Sequence, residues 1–280
     1  MSHPTIRGSL VALITPFNED GSVNFDKLGE LIDFHLANST DALVILGTTG
    51  ESSTMSHEED NAVCEYTVKR VAGRIPVIAG SGSNSTQTML EKSLSYERLG
   101  ADGLLLITPY YNKTNEEGMY LHFKTVADAV KIPCILYNVP GRTGCSISVA
   151  NVARLSQHPN IVGIKEASGN MSYAAKVAKY LSDDFAMYSG NDDMIVPLLS
   201  IGASGVISVL ANIAPKETHQ VVFDYLEGRT DDARRAQIEL LDVINDLFIE
   251  VNPVPVKEAM NLLGMDVGGY RLPLTHMTEA

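Results

Sequence analysis

The chain has 280 residues, of which 45% are hydrophobic, and its formal net charge is -13. This composition predicts a folded protein with a substantial core and argues against global disorder. The acidic excess argues against a nucleic-acid partner, because phosphate binding requires clustered Lys and Arg.

Targeting patterns and membrane spans are missing from the sequence. The start, MSHPTIRGSL, lacks the basic and then apolar order of a signal peptide. No apolar run approaches the length of a membrane span, so we expect no membrane partner. The cysteines Cys64, Cys134 and Cys145 form no CxxC pair, which is typical of a reduced, cytoplasmic protein.

Eight short runs are almost continuously apolar, as in strands that are buried on both faces. We predict strands at 9–15, 41–47, 75–80, 102–108, 132–138, 161–166, 185–190 and 205–210. Helical spacing lies between most of them, for example at 57–72, 86–99, 117–130, 148–157, 171–181 and 191–201. Ser56 and Glu59 predict a capping box at the first of these helices. Eight strands alternating with helices predict a (β/α)8 barrel.

The pattern changes after the eighth strand. From about residue 229 the chain indicates helices alone, with Pro253, Pro255 and Pro273 between them. We therefore expect residues 1–228 to form the barrel and residues 229–280 to form a small C-terminal helical region packed on it.

The carboxyl ends of the strands are where barrels of this kind carry their chemistry. The segments there hold hydroxyls, phenols, one lysine and one arginine, and they span residues 47–51, 108–112, 137–144, 165–166 and 189–192. The histidines show no HxH or HExxH spacing, so we expect no metal site.

Lys165 ends an apolar run in the stretch GIKEASG, residues 163–169. A desolvated lysine loses part of its preference for the charged form. The neutral amine can attack a ketone, and the resulting imine withdraws electrons from the neighbouring carbon. This predicts aldol or lyase chemistry without a cofactor. The alternative is a lysine with a buried stem whose ammonium reaches solvent, and position alone leaves both open.

Four neighbouring residues could complete such a site. Tyr137 ends the adjacent strand and could carry protons, with Thr48 bonded to its phenol. Backbone N–H groups and hydroxyls around Thr48 and Thr49 could hold a carboxylate, and Arg142 could hold a second one. The alternatives are a core aromatic, an ordinary glycine-rich turn and a surface salt bridge.

Five motifs together are specific for one family: GTTGES (47–52), TPYYNK (108–113), YNVPGRTG (137–144), GIKEASG (163–169) and SGND (189–192). With them the chain resembles the dihydrodipicolinate (4-hydroxy-tetrahydrodipicolinate) synthases over about residues 5–275. These belong to the pyruvate-dependent class I aldolases, which include N-acetylneuraminate lyase. The resemblance implies condensation of pyruvate with L-aspartate 4-semialdehyde in lysine and diaminopimelate biosynthesis, by a homotetramer built as a dimer of dimers.

The resemblance also implies the catalytic roles. Lys165 would form the Schiff base with pyruvate, and Tyr137 would be the central proton carrier. Thr48 and Tyr111 would complete the hydroxyl relay, with Tyr111 reaching the site of a neighbouring subunit.

The implied substrate-binding residues are four. Thr49 would hold the pyruvate carboxylate, and Arg142 would hold that of the semialdehyde. Gly190 and the carbonyl of Ile207 would line the pocket. Sugar-acid lyases of the group typically lack the arginine, so Arg142 favours the synthase. A sugar-acid aldolase on the same scaffold and a catalytically silent keto-acid sensor remain the alternatives.

Many family members bind lysine as an inhibitor at a subunit interface. Asp60 and Thr88 stand where sensitive members usually have a histidine and a glutamate, so we expect weak or absent inhibition. A helix that ends the family's chains is also not found after THMTEA. The residues that match the usual effector contacts are Ser52, His57, Asn84 and Tyr110.

Overall fold

The structure is a computed structural model that describes residues 5–278. Eight parallel strands close into a barrel in chain order, and the first strand pairs with the last. The strands are β1 Gly8–Ala12, β2 Ala42–Ile45, β3 Val77–Gly80, β4 Gly103–Ile107, β5 Cys134–Asn138, β6 Ile161–Glu166, β7 Ala186–Ser189 and β8 Gly205–Ser208. All eight predicted strands are present, and the (β/α)8 prediction is confirmed.

Helices follow the strands around the outside of the barrel. They are α1 Phe25–Ala37, α2 His57–Val71, α3 Thr86–Arg98, α4 Glu116–Ala129, α5 Pro140–Thr143, α6 Val149–Leu155, α7 Met171–Val177, α8 Ile195–Leu199, α9 Pro215–Leu226, α10 Thr230–Glu239, α11 Leu241–Asp246 and α12 Val254–Leu262. The predicted helix at 191–201 is divided into a 3-10 turn, Asp192–Met194, and α8.

Local signals in the sequence explain several element boundaries. Strand β2 ends at Ile45, earlier than predicted, because Leu46 adopts a left-handed φ of 58°. The predicted capping box is present at α2: the backbone N–H of Glu59 donates to Ser56 Oγ over 3.2 Å. In return, the backbone N–H of Ser56 donates to Glu59 Oε2 over 2.9 Å.

The buried side chains form two layers, as the alternation of a barrel strand requires. Leu10 of β1 and Ile207 of β8 belong to the cluster inside the barrel. Val11 and Val206 belong to the larger cluster between the strands and the helices. The inner layer fills the barrel, which leaves the loops at the carboxyl ends of the strands to form a binding site.

The helices after β8 are joined to the barrel by buried polar contacts. Gln237 Nε2 of α10 donates to the carbonyl of Asp192 over 2.8 Å. Lys257 Nζ of α12 lies 2.9 Å from Glu51 Oε1. The division between residues 228 and 229 stays a prediction, and residues 1–4 and 279–280 of the two predicted regions lie outside the described residues.

The described residues show neither a membrane-spanning helix nor a cluster of metal ligands. Across residues 5–278, no helix combines the length and the apolar character that crossing a membrane requires. The same residues contain no group of three or more His, Cys, Asp or Glu side chains arranged to hold a metal ion.

Candidate active site

Lys165 is the penultimate residue of β6 and points into the barrel. Its neighbour Ile164 packs in the outer cluster, so strand alternation turns Lys165 inward. In the sheet, Lys165 is in register with Tyr137 of β5 and Tyr188 of β7. The side chain is enclosed, with 5% of the residue exposed. The ammonium therefore stays inside the barrel mouth.

The surroundings of Lys165 favour a neutral amine. Burial lowers the pKa of Lys165 to about 8; the negative charge of Asp192 opposes this shift and the positive charge of Arg142 adds to it. Among the described residues, no carboxylate lies within ion-pair distance of its Nζ. An amine of this kind is available as a nucleophile near neutral pH.

Tyr137 is the aromatic neighbour of that amine. Lys165 Nζ lies 4.5 Å from the centre of the Tyr137 ring. Burial raises the pKa of the Tyr137 phenol, and the charge of Arg142 and a hydrogen bond with Thr48 oppose the shift. The phenol is therefore protonated at neutral pH and able to donate and accept protons through Thr48.

The turn after β2 brings Thr48 and Thr49 to the same region. Thr49 is buried, and its Oγ1 accepts a hydrogen bond from Asn252 Nδ2 over 3.0 Å. Gly50 allows the close approach of this turn to the barrel, because a Cβ there would lie 3.0 Å from the backbone nitrogen of Leu46 and 3.2 Å from the carbonyl oxygen of Leu13. The turn therefore places two hydroxyl side chains beside Tyr137.

Arg142 lies in the short helix α5, above the barrel mouth. Its side chain is exposed, and Nη2 donates to the carbonyl oxygen of Asn252 over 3.3 Å. No carboxylate among residues 5–278 pairs with it. The surface salt bridge that the sequence left open is thus not formed, and the guanidinium is available for an anionic ligand.

A cavity of about 60 Å³ joins these side chains. Its walls include Thr48, Thr49, Tyr137, Arg142, Lys165 and Gly190. Gly190 is required by space, because a Cβ there would lie 3.1 Å from Lys165 Cε and 2.6 Å from the Cβ of Ala167. Ile207 is fully buried in the inner layer and does not line this cavity, whereas Val209 does.

Tyr111 is the one predicted catalytic residue that lies away from the cavity. Its side chain is 92% exposed, and its backbone has a left-handed φ of 68°. Within a single chain, the structure therefore does not bring Tyr111 to Lys165.

A second cavity of about 420 Å³ lies next to the first and shares Thr48, Tyr137 and Arg142 with it. Of the predicted effector contacts, Asn84 does not line the second cavity; its carbonyl oxygen accepts a hydrogen bond from Asn112 Nδ2. The others do line it: Ser52, His57 and Tyr110.

An ion pair in the wall of the second cavity was not predicted. Lys92 Nζ lies 2.8 Å from Asp60 Oδ2 and donates to Ser52 Oγ over 3.0 Å. Burial raises the pKa of the Asp60 carboxyl, and Lys92 opposes that shift. Asp60, at the position where sensitive relatives usually have a histidine, is therefore already paired with Lys92 of the same chain.

Two further residues near Lys165 were not assigned a role from the sequence. Asp192 is buried, and its Oδ2 accepts from the backbone N–H groups of Val209 and Leu210. The sequence motif SGND contains Asp192 but does not indicate its function. Asn252 contacts Thr49 across 203 residues of sequence. Its only distinguishing feature in the sequence is its position before Pro253, which does not indicate a contact with Thr49.

These features define a barrel enzyme of the lyase class, with a buried lysine at the carboxyl end of the sixth strand. The model of the dihydrodipicolinate synthetase family matches residues 5–280, and the chain belongs to that family. The family predicted from the motifs is confirmed.

Individual relatives agree with this assignment. The chain is 54% identical over 279 residues to a 4-hydroxy-tetrahydrodipicolinate synthase of Acetivibrio thermocellus, covering 100% of this chain and 94% of the relative. It is 47% identical to the dihydrodipicolinate synthase of Aquifex aeolicus, whose crystal structure matches with a TM-score of 0.95 over 97% of this chain and 93% of that one. The chloride-inhibited synthase of Acinetobacter baumannii, complexed with pyruvate, is 44% identical, with a TM-score of 0.96 over 98% and 94% of the two chains.

Proposed function

We propose that this protein is a 4-hydroxy-tetrahydrodipicolinate synthase, which condenses pyruvate with L-aspartate 4-semialdehyde in lysine and diaminopimelate biosynthesis. The observation that carries the proposal is the enclosed Lys165 amine beside Tyr137, with a pKa lowered to about 8. The name of the Acetivibrio relative supports the activity. The pyruvate complex of the Acinetobacter enzyme supports pyruvate as the first substrate.

The first half of the reaction forms an imine. The neutral amine of Lys165 attacks the keto carbon of pyruvate, and the keto oxygen leaves as water after it has received protons. Tyr137, whose phenol is hydrogen-bonded to Thr48, carries those protons. Thr49 holds the pyruvate carboxylate through its hydroxyl and backbone N–H.

The second half forms the carbon–carbon bond and releases the product. Loss of a methyl proton converts the imine into an enamine, whose carbon attacks the aldehyde carbon, and the aldehyde oxygen becomes a hydroxyl. The amine of the former semialdehyde then attacks the imine carbon, which closes the ring and frees Lys165. Arg142 holds the semialdehyde carboxylate, and Gly190 lines the pocket.

The proposal includes a homotetramer built as a dimer of dimers, located in the cytoplasm. The exposed Tyr111 supports assembly, because it acts in the proposed relay only if it enters the site of a neighbouring subunit. The cysteines Cys64, Cys134 and Cys145 are all free thiols, which suits a reducing compartment.

We further propose that lysine inhibits this protein weakly or not at all. The Lys92 ammonium already lies in the wall of the cavity lined by Ser52, His57 and Tyr110. It is paired with Asp60, so a second ammonium entering there meets a like charge and a carboxylate that already has a partner. Asn84, the fourth expected effector contact, does not line this cavity.

The test of the activity is pyruvate consumption with L-aspartate 4-semialdehyde, run beside N-acetylmannosamine and a sugar-derived aldehyde. Turnover with the semialdehyde alone, lost in Lys165→Ala, is the expected result. Turnover with a sugar aldehyde instead would move the protein to the sugar-acid lyases and contradict the role of Arg142. Borohydride with pyruvate should add mass to Lys165, and a folded wild-type protein that gains none would be a keto-acid sensor.

A further inference from the structure

A buried ion pair lies beneath the turn that carries Thr48 and Thr49. Lys257 is fully buried, and its Nζ lies 2.9 Å from Glu51 Oε1. The same ammonium donates to the carbonyl oxygens of Thr15, over 3.1 Å, and of Gly269. It also lies 4.5 Å from the centre of the Phe17 ring, which adds a cation–π contact.

Two sets of hydrogen bonds connect the ion pair to the turn. Glu51 is the residue that ends the turn, and its backbone N–H donates to the carbonyl of Thr48 over 3.1 Å. Thr15 Oγ1 donates to the carbonyl oxygen of Gly50 over 2.7 Å, while the Thr15 carbonyl is held by Lys257. The ammonium therefore fixes both the end of the turn and the segment after β1 that contains Thr15.

The backbone of the turn cannot keep this shape unaided. Glu51 has a left-handed φ of 55°, which costs energy for any residue with a side chain. Its carboxylate is buried and has to be compensated, since burying an unpaired charge is expensive. Lys257 supplies that compensation from α12, 206 residues further along the chain.

We propose that Lys257 and Glu51 are positioning residues that set the affinity for pyruvate through the turn of Thr48 and Thr49. Neither residue lines the cavity around Lys165. Their effect reaches the substrate through the position of the Thr49 hydroxyl and backbone N–H. This inference rests on the proposed function, in which Thr49 holds the pyruvate carboxylate.

The test compares Glu51→Gln, Lys257→Met and the double variant. The readouts are the melting temperature, the KM values for pyruvate and the semialdehyde, and the pyruvate concentration that half-saturates borohydride trapping. Each single variant leaves one buried charge unpaired and should lower the melting temperature. We expect the pyruvate KM and the half-saturating concentration to rise about tenfold, and the semialdehyde KM to stay within about twofold.

The double variant separates positioning from stability. It contains no unpaired buried charge, so its melting temperature should recover toward that of the wild type. The pyruvate constants should remain raised, because no ammonium joins Thr15 to Glu51. A double variant that regains both the melting temperature and the pyruvate constants would show a purely structural pair and overturn the inference. Equal increases in both KM values would overturn it as well.

Arg271→Gln is the matched control. Arg271 ties the same C-terminal segment to Glu59 and to the carbonyl of Thr54, and it does not contact the turn. It should lower the melting temperature and leave the pyruvate constants unchanged. A wild-type protein that traps no pyruvate would contradict the proposed function, whereas equal trapping by the wild type and the double variant would contradict only the role of the pair.

Discussion

Lys165 and Tyr137 are in register on neighbouring strands, and the lysine Nζ lies 4.5 Å from the centre of the tyrosine ring. The ring face attracts a cation, while burial favours the neutral amine. The ring of Tyr137 therefore influences the charge of the amine, and its hydroxyl is the group that can transfer protons. One substitution separates the two effects.

Tyr137→Phe keeps the ring and removes the hydroxyl. We expect kcat to fall by roughly 10²- to 10⁴-fold, the range for loss of a general acid–base group. The melting temperature should change little, since the ring still fills the barrel mouth. Steady-state kinetics with a thermal melt check this. A loss of activity below about threefold would show that protons travel by another route.

The rate of imine formation should follow the titration of Lys165. Its pKa is lowered to about 8, so about one amine in ten is neutral at pH 7. Deprotonation creates the nucleophile, so the trapping rate at subsaturating pyruvate should rise with a midpoint near pH 8 and level about one pH unit higher. Because the Asp192 charge opposes the lowered pKa, Asp192→Asn should move the midpoint to lower pH. An unchanged midpoint would mean that Asp192 is not ionised in the folded protein.

Gly190→Ala should damage the site without unfolding the protein. The added methyl group would lie 3.1 Å from Lys165 Cε, so the amine has to move. We expect kcat/KM to fall at least about tenfold. Gly141→Ala is the control, because nothing lies within 4 Å of a Cβ there. Full activity in both variants would show that the lysine tolerates displacement.

Tyr111→Phe should impair turnover more than folding, because this side chain is 92% exposed in the single chain. Mixing the Tyr111→Phe and Lys165→Ala variants tests directly whether Tyr111 acts in the site of a neighbouring subunit. In a mixed dimer, the site that keeps Lys165 receives an intact Tyr111 from the other chain. Random pairing should restore about a quarter of wild-type activity. No restoration, or unchanged turnover in Tyr111→Phe itself, would contradict the cross-subunit relay.

Lysine should not inhibit at submillimolar concentration, because Lys92 and Asp60 already pair at 2.8 Å within the second cavity. Initial rates at fixed substrate and increasing lysine measure this. A submillimolar inhibition constant would show that the effector ammonium displaces Lys92 or binds elsewhere.

The strands and the central pair of the site could be predicted because they depend on local pattern and strand order. Runs buried on both faces are apolar throughout, and consecutive strands are neighbours in a barrel, so Tyr137 and Lys165 had to meet. The contacts of Asn252 with Thr49 and of Lys257 with Glu51 could not be predicted. They depend on the path of the chain after β8, which no periodicity specifies. The pairing of Lys92 with Asp60 depends on how α2 and α3 pack, which the sequence likewise leaves open.

The position of Asn252 and Lys257 so late in the chain has a consequence during translation. All eight strands precede both residues in the chain and are therefore synthesised first. A product that stops after β8 has Lys165 and the whole barrel, but Glu51 has no ammonium beside it and Thr49 has no amide donor. The unpaired carboxylate makes such a product unstable and therefore prone to proteolysis. The contacts that hold the turn of Thr49 thus become possible only when the end of the chain has been made.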